Sequence, residues 1–208
     1  ALPIYFGASA ILKIPYVAGS NSYGTATTLV AGISCGELLI SADGSTLYTG
    51  TLTSPKIIKI DTTTGAITAL TGSGLFGNPR QLAWDNNGNI LVSESNSLVV
   101  KQVSLTGEVT TLPIFSGQTT TGRYSSIVQL KDGNYLGMNS PSAISLSLPD
   151  GSYVNVSSSA TAGPVDGLNT AAIFYSQRGA VVTPDGKIYI SDVGNTSIRT
   201  GTLYPSLL

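Results

Sequence analysis

The sequence predicts an all-β fold. Helical periodicity is nearly absent from its 208 residues, and short runs of β-branched and aromatic residues recur between Gly, Asn, Asp and Pro. In addition, two kinds of tight turn return at a steady interval. The first is marked by Gly44 in SADGSTLY, Gly88 in DNNGNILV, Gly133 in KDGNYLG and Gly186 in PDGKIYIS, at steps of 44, 45 and 53 residues. The second is marked by Gly65 in DTTTGAIT, Gly107 in SLTGEVT and Gly151 in LPDGSYV, at steps of 42 and 44. A repeat of this length holding four short strands is one antiparallel meander. It is apolar on both faces and has to stack on its neighbours, which is the pattern of a β-propeller. The longer last step falls in the loop-like stretch SSSATAGPVDGLN, residues 157–169.

The strands follow in order. Residues 1–32 align with a copy that lacks its first strand, since Ile4-Tyr5-Phe6-Gly7 matches Leu47-Tyr48-Thr49-Gly50 and Ile11–Ile14 matches Ile57–Ile60. The second copy, 33–74, places strands at Glu37–Ala42, Thr46–Thr51, Lys56–Asp61 and Ala66–Thr71. The third, 75–117, places them at Gln81–Asp85, Asn89–Ser93, Val99–Ser104 and Glu108–Leu112. The fourth, 118–162, has Ser125–Leu130, Asn134–Met138, Ala143–Leu148 and Ser152–Ser157. The last, 163–208, has three strands. The expectation is therefore a single domain over 1–208, with about five four-stranded blades of which the first and last are incomplete. Four blades with a composite closing blade, or part of a six-bladed ring, fit the same inventory.

Composition narrows the chemistry. Charged residues are 10% of the chain and the net charge is -1, so there is no cluster of Lys and Arg to capture nucleic acid or a membrane surface. No apolar run reaches the length of a membrane-spanning helix. The single cysteine, Cys35, excludes an intrachain disulfide, and the absence of histidine excludes Ser-His-Asp and Cys-His catalysis and any His-ligated metal. No catalytic residue and no cofactor is assigned. Asp43, Asp132, Asp150 and Asp185 sit in the repeated turns, where an Asp side chain bonds its own backbone two residues on. Tyr5, Tyr48, Tyr135 and Tyr189 recur in second strands and are expected between blades. Tyr16, Tyr23, Tyr124 and Tyr175 fall in or beside loops and are the candidate binding residues, because exposed aromatics among polar neighbours suit protein or sugar contact.

The stretch Tyr175–Arg199, YSQRGAVVTPDGKIYISDVGNTSIR, resembles the NHL repeat, a propeller-blade unit with an Asp-Gly turn, an alternating strand and an Asp-x-x-Asn element before a final Ile-Arg. Glu94 stands where this stretch has Asp192. The resemblance implies a propeller that works through its loops. Propellers of the lactonase type hold a divalent ion with Glu, Asn and Asp, which implies Glu37 and Asp192 as candidate metal ligands, with Asn78 and Asn96 beside them. The expected function is a non-enzymatic secreted or surface module presenting loops to a protein, peptide or glycan. Alternatives are a structural subunit that self-associates through its terminal strands and a metal-dependent lactonase-like hydrolase.

Overall fold

The structure is a computed structural model that describes residues 3–7, 9–54, 56–95, 97–115, 123–140, 143–159, 164–167, 171–183 and 185–201. The first blade comprises β1 (Ile4–Gly7), β2 (Ala10–Ile14), a small hairpin of β3 (Tyr16–Val17) and β4 (Ser22–Tyr23), and β5 (Thr27–Ala31). Its sheet order is β1-β2-β5. The second is the meander β6 (Cys35–Ile40), β7 (Thr46–Thr51), β8 (Ile57–Asp61) and β9 (Ile67–Ala69). The third is β10 (Pro79–Trp84), β11 (Ile90–Glu94), β12 (Val100–Val103) and β13 (Val109–Thr111). The fourth is β14 (Arg123–Gln129), β15 (Tyr135–Ser140), β16 (Ala143–Ser147) and β17 (Tyr153–Asn155). A short parallel pair, β18 (Ser158–Ser159) with β19 (Ile173–Phe174), leads to the fifth blade, β20 (Gln177–Val182), β21 (Ile188–Asp192) and β22 (Ser197–Gly201). The protein is an all-β propeller of about five antiparallel blades.

The repeated turns are what the spacing predicts. Gly44, Gly88, Gly133 and Gly186 each donate a backbone N–H to the carbonyl three residues back, and each has a positive φ. The second-turn glycines carry a further requirement. A Cβ on Gly65 would lie 2.4 Å from the Leu29 carbonyl oxygen, and one on Gly107 would lie 2.1 Å from that of Leu70. This turn of one blade therefore rests on the outermost part of the blade before it, which leaves room for glycine alone at a φ that also favours glycine.

The inner strands begin before their predicted starts. Pairing breaks register between Cys35 and Leu38, Pro79 and Gln81, Tyr124 and Ser126, and Gln177 and Ala180. A bulge inserts an unpaired residue and disturbs the two-residue alternation, so the alternation alone shows only the strand beyond it. Each bulge sits beside the neighbouring inner strand. Ser125 Oγ donates to the Gln177 carbonyl at 2.8 Å, and a Cβ on Gly36 would lie 2.5 Å from the Arg80 carbonyl oxygen.

The core lies between the blades. One face of each of the first four blades packs on the opposite face of the next. Ile11 and Val30 of the first meet Leu47, Ile58 and Ile60 of the second. Tyr48 and Ile57 of the second meet Leu82, Ile90 and Val92 of the third. Leu91 and Val100 meet Tyr124 and Ile127 of the fourth, and Leu136, Met138 and Leu146 meet Ala180, Ile188 and Ile190 of the fifth. Fully burying a Val, Leu, Ile or Met side chain contributes about 1.5–3 kcal/mol, so the stacks hold the blades together. Polar side chains add direction. Trp84 Nε1 donates to the Ile40 carbonyl at 2.9 Å across the second joint. Buried Gln81 accepts from Ile127 N at 2.9 Å across the third. Tyr48, expected between blades, lies there, with its ring 5.4 Å from that of Trp84 in an edge-on arrangement.

Candidate functional site: an aromatic hairpin on the first blade

Tyr16 and Tyr23 come together on the hairpin inserted between β2 and β5. Tyr16 pairs with Tyr23 and Val17 with Ser22. Residues Ala18–Ser20 form one 3-10 turn, and Asn21 closes it in the left-handed region at φ 49°. Tyr16 Oη donates to Asn21 Oδ1 at 2.6 Å, so the same residue makes the turn and holds the phenol. The two rings stand edge to face with centroids 5.5 Å apart. At the base, Gly24 N donates to the Pro15 carbonyl at 2.9 Å. Val17 and Tyr23 are exposed. No charged residue lies between Lys13 and Glu37. The result is an uncharged knob with two fixed rings, a hydroxyl cluster at Ser20 and Ser22, and little side-chain entropy left to lose on contact. The tyrosines were legible in the sequence. Their pairing was not, because a two-residue strand shows no alternation.

The other candidates lie elsewhere. Tyr124 is not in a loop: it is on β14, 1% exposed, packed 4.8 Å from the Phe115 ring and against Gly137. Burial, and then nearby Tyr153, push its phenol pKa well above the usual value. Its ring is a core element of the third joint, which corrects its placement as an exposed binding residue. The bulge at its own strand's start hid this, since it moved the strand boundary past Tyr124. Tyr175 is exposed, in the segment before β20. A Cβ on Gly194 would lie 2.1 Å from Tyr175 Cδ1, so the ring packs directly against the backbone at Gly194.

Glu37 sits in the β6 bulge with surface open to solvent, yet the surrounding protein desolvates its carboxyl and raises its pKa. Arg80 and Arg178 occupy the bulges of the third and fifth blades and are exposed. Asp192 is on a different blade from Glu37 and fully buried, with its oxygens already engaged. Oδ1 accepts from Tyr175 N at 2.8 Å, and Oδ2 accepts from Asn195 Nδ2 at 2.9 Å and faces Arg199 Nη1 at 3.4 Å. Asn96 lies outside the described residues. Among the described residues no three Cys, Asp or Glu side chains converge as a metal site.

Glu94 and Asp192 are equivalent in sequence, and the structure shows what they hold. In the third blade Glu94 accepts from Gly77 N, seventeen residues earlier, and pairs with Lys101, seven residues later, at 2.7 Å. In the fifth, Asp192 accepts from Tyr175 N, seventeen earlier, and faces Arg199, seven later. Each cation also lies over a ring, Lys101 over Phe76 at 5.1 Å and Arg199 over Phe174 at 4.2 Å. Lys101 donates to the Leu75 carbonyl and Arg199 to that of Ile173. This buried clamp ties the segment entering each blade to its middle strands. The shared spacing of seventeen and seven was a signal available in the sequence.

No family model matches the chain, and no curated protein matches it. Solved structures do match. An auxiliary nutrient binding protein from Bacteroides ovatus superposes with a TM-score of 0.72 at 16% identity over 96% of this chain and 52% of that one. A chain of the nidogen/laminin complex gives 0.71 at 14% identity, over 96% of this chain and 73% of that one. Virginiamycin B lyase from Staphylococcus aureus gives 0.60 at 17% identity, over 95% and 64%. The chain spans about half the length of the Bacteroides protein it matches. At these identities the likeness shows the fold. The lyase is catalytically inactive when one of its histidines is replaced by alanine.

Proposed function

We propose that this chain is a non-enzymatic binding module of the NHL-like type, secreted or surface-exposed, that presents its blade loops to a protein, peptide or glycan. The observation that carries the reading is the Tyr16–Tyr23 hairpin, a rigid, uncharged aromatic knob that stands outside the blade sheet. Fixed tyrosines with adjacent hydroxyls give large contact area at low entropic cost, the chemistry of protein and carbohydrate recognition. Similarity to propellers described as nutrient-binding and to one in complex with laminin supports a binding role. A lyase activity of the neighbouring kind is disfavoured by chemistry, since this chain has no histidine. Among the described residues no helix is long and apolar enough to cross a membrane.

The test is to probe peptide and glycan arrays with the labelled chain and with a Tyr16→Ala, Tyr23→Ala double variant whose melting curve matches the parent. Binding by the parent that drops at least tenfold in the variant is the expected result. Ligands bound equally by both proteins would move the site away from the hairpin, and lactone turnover by the purified chain would overturn the non-enzymatic reading.

A further inference from the structure

The third joint differs from the first two at the outer end of the blades. In the first two, the second-turn glycine of one blade closes directly on the blade before it, Gly65 on the Leu29 carbonyl and Gly107 on that of Leu70. At the third, a cavity of about 320 Å³ lies between the fourth blade's turn, residues 148–151, and Pro113 and Ile114 of the segment leaving the third. The sequence explains the difference. Leu70 N, Leu112 N and Val156 N each donate to the first residue of the neighbouring strand, so Thr71, Pro113 and Ser157 are equivalent positions. Thr71 Oγ1 accepts from Ile57 N at 3.0 Å and Ser157 Oγ from Ile144 N at 2.9 Å, which ties the end of each outer strand to its own blade. Proline has no hydroxyl with which to do this. The chain runs on instead to Phe115, which turns at φ 57° and buries its ring in the joint beside Tyr124. The third and fourth blades each have a neighbour on both faces, so the cavity does not depend on the first or the last blade.

The lining has two chemistries. Pro113, Ile114, Leu148 and Pro149 give apolar walls, with half-buried Tyr135 among them. Asn134 and Asp150 supply polar groups, and both side chains are held in place. Asn134 Nδ2 donates to Asp132 Oδ2 at 3.1 Å, which leaves its amide oxygen as an acceptor. Ser152 donates to Asp150 Oδ1 from its backbone N at 2.9 Å and from Oγ at 2.6 Å, which leaves Oδ2 to accept from elsewhere. Strands and tight turns carry these groups, so the site is formed before a ligand arrives. Its size is at the small end of small-molecule sites, about 300–1,000 Å³. A matching ligand is small, has one apolar face and donates hydrogen bonds from its edge. We propose that the cavity is a subsite for one neutral pyranose ring, its C–H face against the proline and tyrosine wall and its hydroxyls donating to Asp150 and Asn134. A carboxylate is a strong acceptor for such hydroxyls, and it repels an anionic sugar. The cavity lies between the third and fourth blades, apart from the hairpin on the first, and stands whether or not the hairpin binds a ligand.

The experiment follows the backbone amides of the isotope-labelled full chain by NMR during titration with methyl glucoside, methyl galactoside and methyl mannoside, and with methyl glucuronide as the anionic counterpart. Saturable shifts at Gly133, Tyr135 and Gly151 are expected at millimolar concentration of at least one neutral glycoside, and none with the glucuronide. Asp150→Asn keeps an acceptor for Ser152 but loses the charge, and is expected to weaken binding about tenfold. Ile114→Trp fills the cavity and is expected to abolish binding. The Tyr16→Ala, Tyr23→Ala variant is expected to bind as the parent does. Absence of shifts at these amides with every neutral glycoside overturns the inference. So does a glucuronide that binds equally well, or a sugar that both cavity variants still bind at full strength. Binding lost in the hairpin variant would place the sugar on the hairpin and overturn it too. Should Ile114→Trp fail to fold, the shifts in the parent chain and in Asp150→Asn decide.

Discussion

The third and fifth blades carry the same internal design and sit in different surroundings. Both use a turn glycine at positive φ, an inner-strand bulge and a carboxylate clamp with identical spacing. The third blade has a neighbour on each face, so Ile90 and Leu91, adjacent in sequence, are both fully buried. The fifth has one. Ile188 and Ile190 are buried against the fourth blade, and Val181 and Ile198 on the other side are exposed. Local sequence makes a blade, but its place in the series decides whether an apolar strand residue is core or surface. The clamps differ as well. Lys101 serves Glu94 and the Leu75 carbonyl, whereas Arg199 spans Asp192, Asp166 and the Ile173 and Val165 carbonyls. The planar five-donor guanidinium can serve several acceptors where an ammonium serves fewer.

Breaking the clamp gives the largest expected effect. Asp192→Ala leaves Arg199 largely buried without its fully buried counter-charge, and a loss of about 3–5 kcal/mol is expected in denaturant unfolding. Glu94→Ala is expected to cost less, because Lys101 is more exposed than Arg199 and regains some water. Equal costs would mean that exposure of the cation does not set the difference. The two faces are compared next. Val100→Ala should cost about 1–3 kcal/mol, while Ile198→Ala at the equivalent position should fall within about 0.5 kcal/mol at micromolar protein. A large cost at Ile198 would show that its face is covered within the chain.

In the second blade Thr51 stands where the third has Glu94, pairing with Cys35 as Glu94 pairs with Pro79, and the charges of this blade act through smaller, local effects that pH reveals. Desolvation raises the Glu37 pKa in the folded state, so folding opposes its ionisation. Its contribution falls as pH rises from the ordinary glutamate range through the raised folded value. Glu37→Gln should therefore raise the denaturation midpoint at neutral pH and leave it unchanged in acid. The opposite sign holds for Asp43. Hydrogen bonds from the Ser41 side chain, and then from Ser45, lower its pKa to about 2. Its stabilisation is present above the ordinary aspartate value and is lost as pH falls through about 2, which an NMR titration of Asp43 beside Asp43→Asn would read. This is the smallest effect expected, because the side chain is exposed and solvent screens it.

Much of the fold was legible because turns are local. An Asp-Gly or Asn-Gly pair states its own backbone geometry, so the glycines marked the blades, and the middle strands followed from alternation. The inner-strand starts were not legible, since a bulge breaks the alternation that reveals a strand, and Tyr124 was misplaced for that reason. The candidate site was half legible. Tyr16 and Tyr23 stood out as aromatics among small polar residues, while the bond from Tyr16 to Asn21 that fixes them depends on one residue adopting the left-handed region.

The sequence by itself determined the blade: its period, its turns, its uncharged faces and the absence of histidine chemistry, all properties of residues near one another in the chain. Only the tertiary structure decided which faces are buried, which carboxylates are clamped and which tyrosines meet. Burial is a relation between segments about 44 residues apart, and two strands with the same pattern become core or surface according to what stacks on them.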